Sequence, residues 1–280
     1  LPSAPTLSSS IYAVCFGLAN PVFTASGAGT NFNWYDALGN PLTNNIATYT
    51  STELNPGTYT YLVEETVGSC TSLQTSFTFI IHASPSTPSI TPAQITICEG
   101  EIPGDFTANS NNGTAGTFTW YDIDPVANPL AVAVGTGTPF SLTPTTPGTY
   151  DYWLTETDLT TTCVSATTTA TFTINALPLV PTVTAAPSAT ICEFDPNPIF
   201  TAVPDPLSTG TGDFYWYDAD PAINPGAILL AGPIATYTPL QVAVGQYSIW
   251  ITETNSTTNC EGIALEVIFE ITALPSAPTS

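Results

Sequence analysis

The sequence Phe118-Thr119-Trp120-Tyr121-Asp122 occurs three times in this chain with small changes. Its counterparts are Phe32-Asn33-Trp34-Tyr35-Asp36 and Phe214-Tyr215-Trp216-Tyr217-Asp218, and each copy is followed by a second tyrosine-rich segment. Self-similarity at a long, fixed period is typical of tandem arrays. The sequence therefore predicts three modules of roughly 90 residues each, a size at which a small domain folds on its own.

Proline-rich segments separate the three modules. Proline in such runs favours an extended, semi-rigid backbone, so these segments are predicted to be stiff spacers. The predicted boundaries are 1–83 for the first module, 84–176 for the second, 177–273 for the third, and 274–280 for the start of a following module or a linker. The last assignment depends on residues 274–279, which repeat the sequence of residues 1–6.

The residue pattern within a module predicts β-strands. Alternation with period 2 places Phe118 and Trp120 on one face of a strand and Tyr121 on the other. The side chains expected in the core are the tryptophans and the first tyrosine of each later segment: Trp34, Trp120, Trp216, Tyr59, Tyr150 and Tyr247. About seven short strands per module, with no helical periodicity, predict an all-β fold of three antiparallel β-sandwiches. This pattern resembles the immunoglobulin-like superfamily.

The charge composition excludes several functions. The chain has no Lys or Arg and 22 acidic residues, which gives a formal net charge of −22. Nucleic-acid binding requires a basic surface, and anionic membranes would repel this chain. No hydrophobic run is long enough to insert into a membrane. Proteases that require Lys or Arg have no cleavage site, an advantage for an extracellular protein.

The six cysteines occur two per module, which predicts disulfide bonds and an oxidising compartment. They are Cys15, Cys70, Cys98, Cys163, Cys192 and Cys260. Bridges within modules are favoured, although a strictly immunoglobulin-like strand order would place the two cysteines of a module at opposite ends of the sandwich, too far apart to join without a change of register. The alternative is a bridge between neighbouring modules, for instance Cys15 with Cys163. Short Cys-x-x-Cys spacing, typical of zinc sites, is absent.

The chain has few residues suited to catalysis. His82 is its only histidine and lies at a module boundary, so an arrangement of nucleophile, histidine and carboxylate has little support. Glu65, Glu156 and Glu253 recur at one position in the three modules, which indicates a structural role such as accepting backbone N–H bonds in a loop. We therefore expect no enzymatic activity and no cofactor.

Two pairs of aspartates are the best candidates for cation binding. Asp122 with Asp124, and Asp218 with Asp220, supply the hard oxygen ligands that Ca²⁺ prefers. Each second aspartate precedes a proline, and Asp-Pro is also an ordinary turn sequence, which the pattern favours. The first module has only Asp36 at this position.

The order of motifs resembles a known repeat family. A cysteine, Phe-Thr-Ala, Trp-Tyr-Asp, Pro-Gly-Thr-Tyr, Thr-Glu-Thr, a second cysteine and a Phe-Thr-Ile strand are similar to the immunoglobulin-like repeats of giant surface proteins of Bacteroidota. Those proteins include SprB-like gliding-motility adhesins and other cargo of the type IX secretion system. The resemblance implies an extracellular location at the cell surface and a role in cell adhesion.

These observations predict a segment of a secreted stalk or filament that provides reach, stiffness and protease resistance. Three modules in line would span roughly 100 Å, from strands of about 8 residues that rise ~3.3 Å per residue. The expected partners are neighbouring modules of the same chain or other copies in a filament. The alternative is a carbohydrate-binding array that stacks surface glycans on its outward aromatics: Tyr121, Trp153, Tyr217 and Trp250.

Overall fold

The computed structural model describes residues 1–111, 116–208, 210 and 212–276. Regular structure in these residues consists of β-strands, which confirms the predicted all-β fold of β-sandwich modules. A search of the same residues for a helix able to span a membrane finds none. The chain forms two compact units: residues 1–93, 105–141 and 151–171 form unit 1, and residues 94–104, 142–150 and 172–280 form unit 2.

The strands follow the three sequence repeats. In the first repeat they are β1 (Thr6–Leu7), β2 (Ile11–Cys15), β3 (Val22–Ser26), β4 (Asn31–Asp36), β5 (Pro41–Thr43), β6 (Thr48–Thr50), β7 (Gly57–Val67), β8 (Cys70–Thr71) and β9 (Thr75–His82). In the second they are β10 (Ser89–Thr91), β11 (Gln94–Cys98), β12 (Thr107–Asn109), β13 (Gly116–Tyr121), β14 (Ala133–Thr136), β15 (Gly148–Asp158) and β16 (Thr168–Asn175). In the third they are β17 (Thr182–Ala186), β18 (Thr190–Cys192), β19 (Ile199–Val203), β20 (Asp213–Tyr217), β21 (Leu229–Ala231), β22 (Thr236–Tyr237), β23 (Gly245–Thr254) and β24 (Leu265–Thr272).

The first repeat, in unit 1, folds as two sheets. Strands β1, β3 and β6 form the smaller sheet, and the larger has the order β2-β9-β7-β4-β5, with β8 paired to β7. All of these pairs are antiparallel except one: β2 runs parallel to β9, with Tyr12 opposite Phe79. One edge of the larger sheet is therefore parallel, while the rest of the sandwich has the predicted antiparallel pairing. Alternation of side chains shows which face a residue occupies but carries no information on strand direction.

The third repeat, in unit 2, has the same arrangement. Strands β17, β19 and β22 form one sheet, and the second has the order β18-β24-β23-β20-β21. Strand β18 again runs parallel to the last strand of its repeat, β24. In unit 1, the tryptophan strand of the second repeat, β13, pairs antiparallel with both β14 and β15.

The tryptophan strands supply the centre of each core. Trp34, Trp120 and Trp216 are each 0% exposed. Their indole N–H groups donate to the backbone oxygens of Ile46 (2.9 Å), Gly137 (2.9 Å) and Ile234 (3.1 Å), respectively. Each tryptophan therefore fills the sandwich and also holds the connection that follows the next strand (β5, β14 or β21), since a buried indole requires a hydrogen-bond partner.

The tyrosines predicted for the core lie at its rim. Tyr59, Tyr150 and Tyr247 are half-buried. Each hydroxyl donates at 2.8 Å to the backbone oxygen four residues earlier, in Asn55, Thr146 and Ala243. These tyrosines pack one ring face against the core and fasten the turn before their strand, as in the tyrosine corner of immunoglobulin-type sandwiches. The deeper positions of β7, β15 and β23 are filled by Tyr61, Tyr152 and Ile249.

Candidate functional site: interlocked disulfides and buried glutamates

Two disulfide bonds connect repeats that are neighbours in the sequence. Cys15 bonds to Cys163 with Cα atoms 5.5 Å apart, and Cys98 bonds to Cys260 at 5.6 Å. Each bond joins the first cysteine of one repeat to the second cysteine of the next. The structure therefore contradicts the bridges within modules that the sequence favours. It shows the alternative, a bond between Cys15 and Cys163. Cys70 and Cys192 are exposed free thiols.

The first cysteines lie at the ends of strands β2, β11 and β18 in the same local structure. The backbone oxygens of Cys15, Cys98 and Cys192 each accept, at 3.1 Å, from the N–H three residues later. The residue after each cysteine donates to the last strand of a repeat: Phe16 to His82, Glu99 to Asn175 and Glu193 to Thr272, at 2.8, 2.9 and 2.8 Å. The same backbone turn therefore follows all three first cysteines.

The bonded second cysteines lie in matched loops after the tyrosine strand. In one loop, Asp158 accepts backbone N–H bonds from Thr160 (2.8 Å) and Thr161 (2.7 Å). In the other, Asn255 accepts them from Thr257 (2.9 Å) and Thr258 (3.2 Å). Cys163 and Cys260 are each 0% exposed. Asp158 and Asn255, which have the same shape, therefore stabilise the two loops in the same way, since Asp and Asn bond readily to the backbone two residues on.

A cavity of about 490 Å³ lies beside the Cys15–Cys163 bond in unit 1. Its lining includes Cys15, Leu18, His82 and the three threonines 160–162. Bonds from the backbone N–H groups of Thr161 and Thr160 lower the pKa of Asp158 below its ordinary value, and the charge of His82 adds to this effect. His82 is the last residue of β9 and lies beside the bridge. Its backbone oxygen accepts a bond from the N–H of Phe16.

The recurring glutamates are buried under glycine-containing loops. Glu65, Glu156 and Glu253 are 0%, 1% and 0% exposed. The carboxylate of Glu65 accepts a bond from the backbone N–H of Gly29, and that of Glu253 accepts one from Gly212 at 3.0 Å. The predicted structural role is thereby confirmed for these two glutamates. In the second repeat, residues 112–115, which precede β13, lie outside the described residues.

The close fit between loop and glutamate gives a prediction for Gly27→Ala. A Cβ at residue 27 would lie 2.6 Å from Cδ of Glu65, whose carboxylate is enclosed. The loop must move, and we expect the free energy of unfolding of the first module to fall by about 1–3 kcal/mol. Chemical unfolding measures it.

The matched control is Gly104→Ala, because a Cβ at that position meets no atom within 4 Å. We expect this variant to stay within about 1 kcal/mol of the parent. Equal effects of the two substitutions would show that the loop does not need a glycine above Glu65.

The aspartates proposed for calcium lie in turns. Asp124 accepts the backbone N–H of Val126 at 2.9 Å, and Asp220 accepts that of Ala222 at 2.9 Å. Asp218 accepts the N–H of Ile228 at 2.6 Å. Within the described part of the chain, no three His, Cys, Asp or Glu side chains form a group that could hold a metal ion. Asp122 directly follows β13.

The outward aromatics are half-buried and paired across strands. Tyr121 lies opposite Trp153, and Tyr217 opposite Trp250. Tyr217 also donates to the carboxylate of Glu261 at 2.9 Å, as Tyr35 does to Glu64 at 2.7 Å. Because these side chains are half-buried and lie opposite one another on paired strands, and because Tyr217 is bonded to an acid, the geometry does not favour the free stacking platform that a carbohydrate-binding array needs.

The tyrosine–glutamate pairs predict that the protein loses stability in alkali. Burial, with the nearby carboxylate adding to it, raises the pKa of both Tyr35 and Tyr217 to about 12. The folded state favours the neutral phenols, so their contribution is complete below the ordinary pKa of about 10 and is lost as pH rises towards 12. Urea unfolding between pH 8 and 12 should show that the free energy of unfolding declines as pH rises. The decline should be smaller in the double variant Tyr35→Phe/Tyr217→Phe.

This experiment is best done in a C70S/C192S background, because free thiolates exchange with disulfides at alkaline pH. A decline of equal size with and without the two tyrosines would contradict the assignment.

Comparison with known proteins places the first repeat in a class. The sandwich, the tyrosine corner and the buried tryptophan define immunoglobulin-like modules. The family model described as "Ig-like domain CHU_C associated" matches residues 2–82. The chain thus contains an Ig-like repeat module similar to that family. No curated protein sequence is similar to the chain.

Among solved structures, the chain is similar to domains A168–A170 of titin, at 11% identity and a TM-score of 0.37, covering 96% of this chain and 99% of that one. It is also similar to the FN1–FN3 domains of chicken CNTN1, at 11% identity and a TM-score of 0.34, covering 96% and 98%.

Proposed function

We propose that this chain is a tension-bearing segment of a stalk or filament on the surface of a bacterium, secreted and used in adhesion. The observation that carries the proposal is the pair of interlocked disulfides, so called because the loops they close, residues 15–163 and 98–260, overlap in the sequence. A bridge from one repeat to the next transmits force through covalent bonds, whether the modules are folded or unfolded. Ig-like modules are typically non-catalytic and structural, and we propose no catalytic role here.

The composition supports an extracellular location. Disulfides persist in oxidising compartments, and the absence of Lys and Arg removes every cleavage site for trypsin-like proteases. The net charge of −22 favours solubility and opposes non-specific association between chains. Gliding motility and export by the type IX secretion system remain proposals from the resemblance of the repeats.

The bridges determine which residues carry tension when the two ends are pulled. The shortest covalent path crosses from Cys15 to Cys163, returns along the chain to Cys98, and crosses again to Cys260. Residues 16–97 and 164–259 lie off this path. The first and third repeats are therefore largely shielded from load, and only the second repeat lies in the path between the bridges.

Single-molecule pulling tests the proposal. With both bridges intact, the path contains roughly 100 residues and reaches ~350 Å at ~3.5 Å per residue, whereas the open chain reaches ~1,000 Å. We expect the shorter limit in oxidising buffer and the longer limit after reduction. The matched control replaces all four bonded cysteines by serine and should reach the longer limit in both buffers.

An oxidised chain that reaches ~1,000 Å would show that the bridges carry no load and would remove the basis for a tension-bearing role.

A further inference from the structure

The two unpaired cysteines occupy the positions at which the disulfide pattern is incomplete. Each bond joins a first cysteine to the second cysteine of the next repeat. By the same pattern, Cys192 would bond to the second cysteine of another repeat, and Cys70 would bond to the first cysteine of another repeat. Both thiols are exposed. The repeat-equivalent cysteines bonded elsewhere in the chain indicate what kind of partner each thiol takes.

The local structure of Cys192 matches that of the bonded first cysteines. Its backbone oxygen accepts from Asp195 at 3.1 Å, as that of Cys15 accepts from Leu18 at the same distance. Its N–H donates to a carboxylate at 3.2 Å, as the N–H of Cys98 does at 2.8 Å. The position is therefore built for bonding in the same way, although its thiol is free.

The surface around Cys192 is open and mostly apolar, although Asp195 and Gln241 also line it. A cavity of about 260 Å³ is lined by Cys192, Phe194, Asn197 and Val242, among others. Phe194 is 85% exposed and Val242 81% exposed. Beside Cys15, the corresponding cavity has the three threonines 160–162, from the loop that carries Cys163, in its lining. The apolar surface at Cys192 thus corresponds to a place that a cysteine-bearing loop of another repeat occupies at Cys15.

Cys70 has the placement of a second cysteine. Ser72, two residues later, donates its backbone N–H to Glu65 at 2.8 Å, as Ser165 does to Glu156 at 2.9 Å and Gly262 to Glu253 at 2.8 Å. The thiol lies at the start of β8, where Cys70 is opposite Val67. The loop before it is shorter than those before Cys163 and Cys260, so its cysteine is presented at a tight turn.

We propose that Cys192 of one copy forms a disulfide with Cys70 of a second copy, so that copies join head to tail. The first cysteine accepts the Cys70 loop of the other copy against Phe194 and Val242, which repeats between copies the bond that Cys15 and Cys98 make within one. The inference depends on the disulfide pattern and not on the stalk function, which has its own test by pulling.

The bond-forming step needs an oxidant, for which a low-mass disulfide such as oxidised glutathione serves. The thiolate of Cys192 attacks oxidised glutathione, forms a mixed disulfide and releases one glutathione thiolate. The thiolate of Cys70 from the second copy then attacks the Cys192 sulfur and releases the second glutathione thiolate. One protein disulfide forms, two protein thiols lose their protons, and the two electrons reside in two reduced glutathione molecules.

The test mixes two single variants of the whole chain. C70S retains only the Cys192 thiol, and C192S only the Cys70 thiol. Each is incubated with oxidised glutathione alone and as an equal mixture, in about 0.3 M salt to screen the repulsion between acidic copies. Non-reducing electrophoresis and peptide mass spectrometry follow. The wild-type chain is treated in parallel, and C70S/C192S is the control.

We expect the mixture to form a covalent dimer with a Cys70–Cys192 link at a yield at least tenfold above that of either variant alone. The wild-type chain should form a ladder of multiples of 29.2 kDa, and the double variant should remain monomeric. The proposal is overturned if each variant dimerises with itself as readily as in the mixture. It is also overturned if the wild-type chain forms only monomers.

Discussion

Trp216→Ala should lower the free energy of unfolding of the third module by about 3–5 kcal/mol, the range for deleting a fully buried large aromatic side chain. Trp216 is 0% exposed and stacks on Tyr237 with ring centroids 5.5 Å apart. The substitution removes this packing and also the bond from the indole N–H to Ile234 at 3.1 Å. That oxygen then loses its partner, which adds to the cost of the cavity. Calorimetry should show one transition moved to lower temperature.

Trp250→Ala is the matched control on the other face of the same sheet. Trp250 is half-buried and lies on β23 opposite Tyr217 of β20. We expect its removal to cost roughly 1 kcal/mol, as cross-strand aromatic pairs contribute. If the two alanine variants were equally stable, Trp216 would not be the centre of the core.

Loss of the disulfides should be equally severe. Cys98 and Cys260 are 162 residues apart in sequence, and a bond that closes so long a loop stabilises by about 5 kcal/mol in the chain-entropy model. C98S/C260S should therefore unfold at a markedly lower temperature, and C15S/C163S should behave likewise, since its loop spans 148 residues. Thermal unfolding without reductant measures both.

The control for both disulfide variants is C70S/C192S, which removes two exposed thiols and no bond. Its unfolding temperature should equal that of the parent chain under dilute, reducing-agent-free conditions. A large loss of stability in this variant would indicate that Cys70 and Cys192 are bonded within the monomer, contrary to the structure.

The repeats and the hydrophobic alternation predicted most of the fold. Strands β4, β13 and β20 lie where the tryptophan motif placed them, because a strand with one buried face imposes period 2 on its sequence. Glu65 and Glu253 were recognised as structural from their recurrence alone, since a binding residue need not recur in every repeat.

The sequence could not decide the disulfide pairing. Position along a strand indicates at which end of a sandwich a cysteine lies, and this argument did raise doubt about a bond from Cys15 to Cys70. Which cysteine of another repeat approaches Cys15 depends on how repeats pack, and periodicity does not encode that. Alternation gives the face that a residue occupies but not its depth, so the sequence places Tyr59 in the core. In the structure its hydroxyl reaches the turn at the rim.

Disulfide mapping of the oxidised chain tests the central claim most directly. Pepsin is the suitable protease, since the chain offers no Lys or Arg to trypsin, and its acidic working range suppresses thiol exchange. In the monomeric fraction we expect linked peptides that contain Cys15 with Cys163 and Cys98 with Cys260, and alkylated peptides for Cys70 and Cys192. Linked peptides that join Cys15 with Cys70 and Cys192 with Cys260 would contradict the interlocked arrangement, because each repeat would then be closed on itself.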